Sequence, residues 1–208
     1  ELDDMGKRII FLGDGKRFIL QSDKTGWNML YLYDMTGRQI NAVTTGQYTV
    51  TAINHIDEKN QVVYFTCRKD NSACYDYYRV KLDGSGLKRL SFGAYTHQVN
   101  VSPGGSYFIT TYSNMNEPQQ MALVDNKGNI KKQLGSAKGI SFNEYKLAKT
   151  ELVRVKSEDG KYDLPMKITW PLDYDPAKKY PVLINIYGGP KAGTVYDGFA
   201  FNPQQQWW

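Results

Sequence analysis

Met29-Leu30-Tyr31-Leu32-Tyr33 runs directly into Asp34-Met35-Thr36-Gly37. The first five residues are aromatic or long apolar types that suit a pleated surface. The next four form a turn, with an Asp that bonds its own backbone and a Gly that takes positive φ. The same pairing recurs. Tyr77-Tyr78-Arg79-Val80 leads to Asp83-Gly84-Ser85-Gly86, and Met121-Ala122-Leu123-Val124 leads to Asp125-Asn126-Lys127-Gly128. Each is preceded by another strand-like run: Arg17-Phe18-Ile19-Leu20, Val62-Val63-Tyr64-Phe65 and Tyr107-Phe108-Ile109-Thr110. The turn aspartates at 34, 83 and 125 stand 49 and 42 residues apart. A repeat of this length with about four strands per unit marks a β-propeller blade. The first and third units also enter their second strand alike, through Gly15-Lys16-Arg17-Phe18-Ile19 and Gly105-Ser106-Tyr107-Phe108-Ile109. A β-sandwich with coincidental spacing is the competing architecture.

The rhythm stops near Gly135, and a different pattern follows. Residues 1–136 are expected to be C-terminal blades of a propeller, about three of them, and 137–150 a linker. Residues 151–208 are expected to be the opening strands of an α/β domain. Leu152-Val153-Arg154-Val155 and Met166-Lys167-Ile168-Thr169-Trp170 alternate like a hairpin connected through Glu158-Asp159-Gly160. Tyr180-Pro181-Val182-Leu183-Ile184-Asn185-Ile186-Tyr187 is nearly unbroken apolar sequence, which suits a strand covered on both faces. It ends in Gly188-Gly189-Pro190, where the backbone must turn. The fold class is therefore mainly β: a partial propeller passing into the first strands of an α/β sheet.

Composition narrows the function classes. Of the 208 residues, 41% are hydrophobic and 23% charged, the balance of a folded globular chain. The net charge of +5 sits in residues 1–149, scattered singly or in pairs such as Lys131-Lys132 rather than in a stripe. Nucleic-acid binding is thus not expected. No run of about 18 apolar residues offers a membrane span. The start Glu1-Leu2-Asp3-Asp4 has no leader pattern. The two cysteines, Cys67 and Cys74, flank a polar stretch between two strand-like runs. A hairpin there would allow a disulfide; two free thiols fit the sequence equally, since geometry decides. Two cysteines and two distant histidines do not make a metal cluster, and no cofactor is expected.

Several stretches resemble the dipeptidyl peptidase IV branch of the prolyl oligopeptidase family of serine peptidases. They are Gln21-Ser22-Asp23-Lys24-Thr25-Gly26-Trp27-Asn28 with its following strand, Val101-Ser102-Pro103-Gly104-Gly105-Ser106-Tyr107-Phe108, and Thr111-Tyr112-Ser113-Asn114. The most specific is Lys179-Tyr180-Pro181-Val182-Leu183-Ile184-Asn185-Ile186-Tyr187-Gly188-Gly189-Pro190. The resemblance implies a propeller joined to an α/β-hydrolase domain, with dipeptides released from free N-termini after Pro or Ala. It implies peptide substrates, a homodimeric parent, and a periplasmic, secreted or cell-surface setting. It also implies that Tyr187 donates its hydroxyl to an oxyanion hole. A phenol at the end of a rigid strand before a Gly-Gly-Pro turn is well placed for that, with Gly188 and Gly189 letting backbone pass close to substrate. A Tyr packed simply for burial is the structural alternative.

The triad is missing. No Ser stands between glycines two before and two after it, so there is no nucleophile elbow. His55 and His97 both precede any hydrolase segment and are expected to be structural, the first in a turn and the second just before a strand. Asp57-Glu58 reads as a turn pair and Asp3-Asp4 as a chain end; neither matches the acidic pair that would hold a substrate amine. The chain is thus expected to be an internal fragment, inactive alone and prone to self-association through open blade faces. Two other readings stay open: an oligopeptidase or acylaminoacyl peptidase of the same family, and a non-catalytic propeller module that binds a partner.

Overall fold

The computed structural model describes residues 9–187 and 193–200. Fourteen strands fall in these residues, grouped in four antiparallel sheets. The first sheet is the meander β1 (Ile9–Phe11), β2 (Arg17–Ser22), β3 (Met29–Asp34) and β4 (Gln39–Ala42). The second is β5 (Thr49–Asp57), β6 (Val62–Arg68), β7 (Asp76–Lys81) and β8 (Lys88–Arg89). The third is β9 (Thr96–Val101), β10 (Tyr107–Ser113), β11 (Gln120–Asp125) and β12 (Ile130–Ser136). Three successive four-stranded meanders are propeller blades, and each strand run expected for the blades lies inside one. A short 3-10 helix (Ile140–Glu144) then leads to the hairpin β13 (Thr150–Lys156) and β14 (Asp163–Thr169).

The turn chemistry repeats in three dimensions. Asp34 Oδ1 accepts hydrogen bonds from the amides of Thr36 and Arg38, and Asp125 Oδ1 from those of Lys127 and Asn129. Asp83 Oδ1 accepts from the Ser85 amide. These bonds favour the carboxylate, so all three aspartates lie below the usual range. The Thr36 hydroxyl is the largest cause at Asp34, which falls to about 2; the Ser85 hydroxyl leads at Asp83 and the Asn129 side chain at Asp125.

The second blade is buried on both faces, and the strand alternation shows how. Val63, Phe65 and Cys67 of β6, with Tyr78 and Val80 of β7, pack into one core with Ile19, Leu30 and Leu32 of the first blade. Their neighbours Tyr64 and Tyr77 point the other way, into a second core with Phe108, Tyr112, Ala122 and Val124 of the third blade. Tyr77 meets Phe108 edge-on with ring centroids 4.8 Å apart. Both alternating sets of side chains in the middle strands are thus largely apolar, because each face has a blade against it. Burying an aromatic such as Phe65 is worth about 2–3 kcal/mol. On the third blade Phe108 is buried, whereas Tyr107 and Ile109, on the face away from the second blade, are exposed.

Three expectations need correcting. His55 lies within β5 rather than in a turn, its ring tilted against Tyr64. His97 is the second residue of β9, not a residue before it. Residues 181–187 form no strand, and Val182, Leu183, Ile184 and Ile186 are all at least 76% exposed. An apolar run becomes a strand only by pairing its backbone, and no described strand pairs with it.

Candidate functional site

The two cysteines do not face each other across the second blade. β6 and β7 pair with Cys67 opposite Asp76, which leaves Cys74 in the loop before β7. Both thiols are free and buried. Burial is the largest cause that raises each, Cys67 to about 12 and Cys74 to about 11, with Asp76 and Asp197 adding repulsion. Neither is a nucleophile near neutral pH.

The histidines are structural. His97 is buried, with Nε2 2.8 Å from the Phe92 carbonyl and Nδ1 3.0 Å from Thr110 Oγ1. A carbonyl only accepts, so Nε2 carries the proton and Nδ1 accepts from the threonine. Burial lowers its pKa, the neutral form being the one that a dry site tolerates. Glu58 is structural too. Both its oxygens accept from the Gly13 amide, at 2.9 and 2.8 Å, which joins the first two blades. Among the described residues no group of three or more His, Cys, Asp or Glu is arranged to hold a metal. No described helix is long and apolar enough to cross a membrane.

Tyr187 is 65% exposed and closes the run 181–187. Gly188, Gly189 and Asp3-Asp4 lie outside the described residues. Beyond Tyr187, the chain at residues 193–200 lies against two propeller loops. One loop joins β6 to β7. It is shaped by Asn71, whose carbonyl and side-chain oxygen accept from the Cys74 and Ala73 amides, both at 2.9 Å. The other loop joins β10 to β11 and is shaped by Asn114 Oδ1, which accepts from the amides of Asn116 and Glu117. Asp197 bridges them. Its amide donates to the Ala73 carbonyl and its Oδ1 accepts from the Met115 amide, each at 2.9 Å. The Phe199 amide donates to Ser113 Oγ at 3.3 Å. Tyr196 stacks on Tyr75 at 5.6 Å, and the Arg68 guanidinium lies over both rings. The hairpin adds a third tie, from Arg154 Nη1 to Ser72 Oγ at 2.7 Å. Beside this junction an apolar cleft of about 610 Å³ is lined by Pro118, Phe142, Tyr145, Leu147 and Phe199 among others.

Sequence reasoning singled out Ser113 and Asn114 only as part of a family-like stretch, and missed Arg68, Tyr75, Tyr196 and Asp197 as a cluster. No local signal marks them as a cluster, since apart from Arg68 over Tyr75 each interaction joins segments more than 80 residues apart.

Three stacked four-stranded meanders followed by a separate hairpin make this a propeller-bearing chain, not a sandwich. The family described as "Dipeptidyl peptidase IV (DPP IV) N-terminal region" matches residues 4–119. The chain is 34% identical over 194 residues to a probable dipeptidyl peptidase 4 of Arthroderma benhamiae, covering 89% of this chain and 25% of that protein. It is 32% identical to a probable dipeptidyl-aminopeptidase B of Trichophyton verrucosum, covering 85% and 20% respectively. Among solved structures, dipeptidyl peptidase 4 of Porphyromonas gingivalis superposes with a TM-score of 0.83 at 26% identity, over 96% of this chain and 28% of that one. The chain therefore belongs to the dipeptidyl peptidase IV family. It spans about a quarter of the length of the curated relatives it matches.

Proposed function

We propose that this chain is the stretch of a serine exopeptidase that runs from the last propeller blades into the hydrolase domain, in an enzyme that releases N-terminal dipeptides, preferably after Pro or Ala. On this reading residues 1–136 are blades, 137–150 a linker and 151–208 the start of the hydrolase domain. The end of β12 at Ser136 and the start of the hairpin at Thr150 support those limits.

One observation carries the reading: the chain leaves the third blade, passes through the β13–β14 hairpin to a solvent-facing phenol at Tyr187, and returns at residues 193–200 to the propeller loops. The phenol ends the stretch Lys179–Pro190 that resembles the family motif, and it is exposed together with the apolar run before it. In the full enzyme a Ser would attack the peptide carbonyl, a His would take its proton, and the Tyr187 hydroxyl would donate to the oxygen that becomes negative. The chain itself contributes that donor and no triad member, so alone it is inactive.

The test uses the full-length enzyme with glycyl-prolyl-anilide. One oxyanion donor is worth about 3 kcal/mol, so Tyr187→Phe is expected to lower kcat roughly a hundredfold with KM little changed. Failure to cleave the substrate, or an unchanged kcat in the variant, overturns the reading.

A further inference from the structure

Residues 193–200 lie across the seam between the second and third blades and bond to both. On the second blade, the Asp197 amide donates to the Ala73 carbonyl at 2.9 Å, and the Tyr196 ring stacks on Tyr75 at 5.6 Å. On the third, Asp197 Oδ1 accepts from the Met115 amide at 2.9 Å, and the Phe199 amide donates to Ser113 Oγ at 3.3 Å. The two blades also meet directly at this end, where the His97 amide of β9 donates to the Tyr75 carbonyl at 2.9 Å. Cys74 sits in the chain between Ala73 and Tyr75, so both of its neighbours are engaged. It is 5% exposed, with Sγ 3.8 Å from Asp197 Oδ2. Cys67 is buried elsewhere, in the core shared by the first and second blades.

We infer that residues 193–200 form a strap that closes the seam between the second and third blades, with Asp197 as its pin and Cys74 as the thiol it keeps covered. The inference does not rest on the oxyanion reading of Tyr187. Two loops on neighbouring blades can part without breaking either blade. A segment hydrogen-bonded to both fixes their spacing. Asp197 does this from one residue, with its amide on one blade and its carboxylate on the other. Docking of the strap and closure of the seam are then one local equilibrium, separate from unfolding of the blade cores. Whatever lifts the strap from the propeller uncovers Cys74, and the reactivity of that thiol reads the equilibrium. A hydrogen bond to a carboxylate shifts such an equilibrium by about tenfold or more.

The test measures iodoacetamide labelling of the native full-length protein at pH 8, with Cys67 and Cys74 followed separately by mass spectrometry of their peptides. Asp197→Asn removes the charge beside the Cys74 thiol but keeps an oxygen for the Met115 amide, so any rise it causes measures the charge alone. Asp197→Ala removes the charge and the bridge together. Cys74 is expected to label about tenfold faster in Asp197→Ala than in Asp197→Asn, with Cys67 within twofold of its native rate in both. Tyr196→Ala removes only the ring stacked on Tyr75 and leaves the carboxylate in place, and it serves if Asp197→Ala does not fold. It is expected to raise Cys74 labelling about threefold over the native protein, again with Cys67 unchanged. Equal Cys74 rates in Asp197→Ala and Asp197→Asn overturn the strap. So does a Tyr196→Ala protein in which Cys74 keeps its native rate, or in which Cys67 rises in step with it.

Discussion

Asp76 meets Arg89 across the second blade, with Oδ1 2.6 Å from Nη2 and 2.9 Å from Nε. The same oxygen accepts from Ser91 Oγ at 2.7 Å, and Ser91 Oγ in turn accepts from the Tyr77 amide. The carboxylate is 2% exposed, but the guanidinium is 32% exposed. The two partners are therefore not equivalent. Removing the arginine strands a charge in the interior, whereas removing the carboxylate leaves a cation that still reaches water.

Arg89→Met is accordingly expected to destabilise by about 3–5 kcal/mol. Asp76→Asn, which keeps an acceptor for Arg89 and Ser91, should cost about 1–2 kcal/mol. Urea unfolding followed by tryptophan fluorescence checks the order. An equal or reversed order would show that the asymmetry of burial does not govern the pair.

The turn glycines differ in the same informative way. Gly37 and Gly84 occupy equivalent turns with φ of 84° and 86°. A Cβ at Gly37 meets open space, but at Gly84 it would stand 2.9 Å from the Ala42 carbonyl oxygen of the preceding blade. Gly37→Ala should thus cost about 1–2 kcal/mol, the strain of a left-handed backbone alone. Gly84→Ala should cost clearly more, because the turn must also move off its neighbour. Thermal unfolding of the two variants side by side measures the difference.

His97 gives the molecule a pH response whose sign follows from burial. Its pKa is lowered in the folded state, so the unfolded state binds the proton more readily. The stability it supports is fully present above its unfolded value of about 6.5 and is lost as pH falls below that value toward the folded one. Unfolding midpoints measured from pH 8 to pH 5 should fall for the native protein. His97→Gln, less stable at pH 8, should show a shallower decline below pH 6.5, and parallel slopes would refute the assignment.

Cys67 and Cys74, with pKa values raised to about 12 and about 11, should resist alkylation by iodoacetamide at pH 8. Both should label at once in denaturant without reductant, since no disulfide joins them. Mass spectrometry of the native and unfolded protein counts the labels. Rapid native labelling would contradict the burial, and a denatured protein that labels only after reduction would contradict the free thiols.

What local chemistry can say, the sequence said. Strands such as Met29–Asp34 and Tyr107–Ser113, the Asp and Gly of their turns, and the blade-length period depend on contacts between residues near in the chain. They were legible because side-chain alternation and turn bonding reach only a few residues. Tyr187 was legible as a candidate donor through resemblance alone. Stacking decided the rest. Which face of β6 meets which blade, and how Asp197 finds the Met115 amide 82 residues away, are settled only when distant segments lie against each other; that Cys67 opposes Asp76 instead of Cys74 is set by the register of the β6–β7 hairpin. The apolar run at 181–187 shows the same limit from the other side. Its composition suits a covered strand, but a strand exists only where another backbone supplies the hydrogen bonds, and composition does not say whether one does.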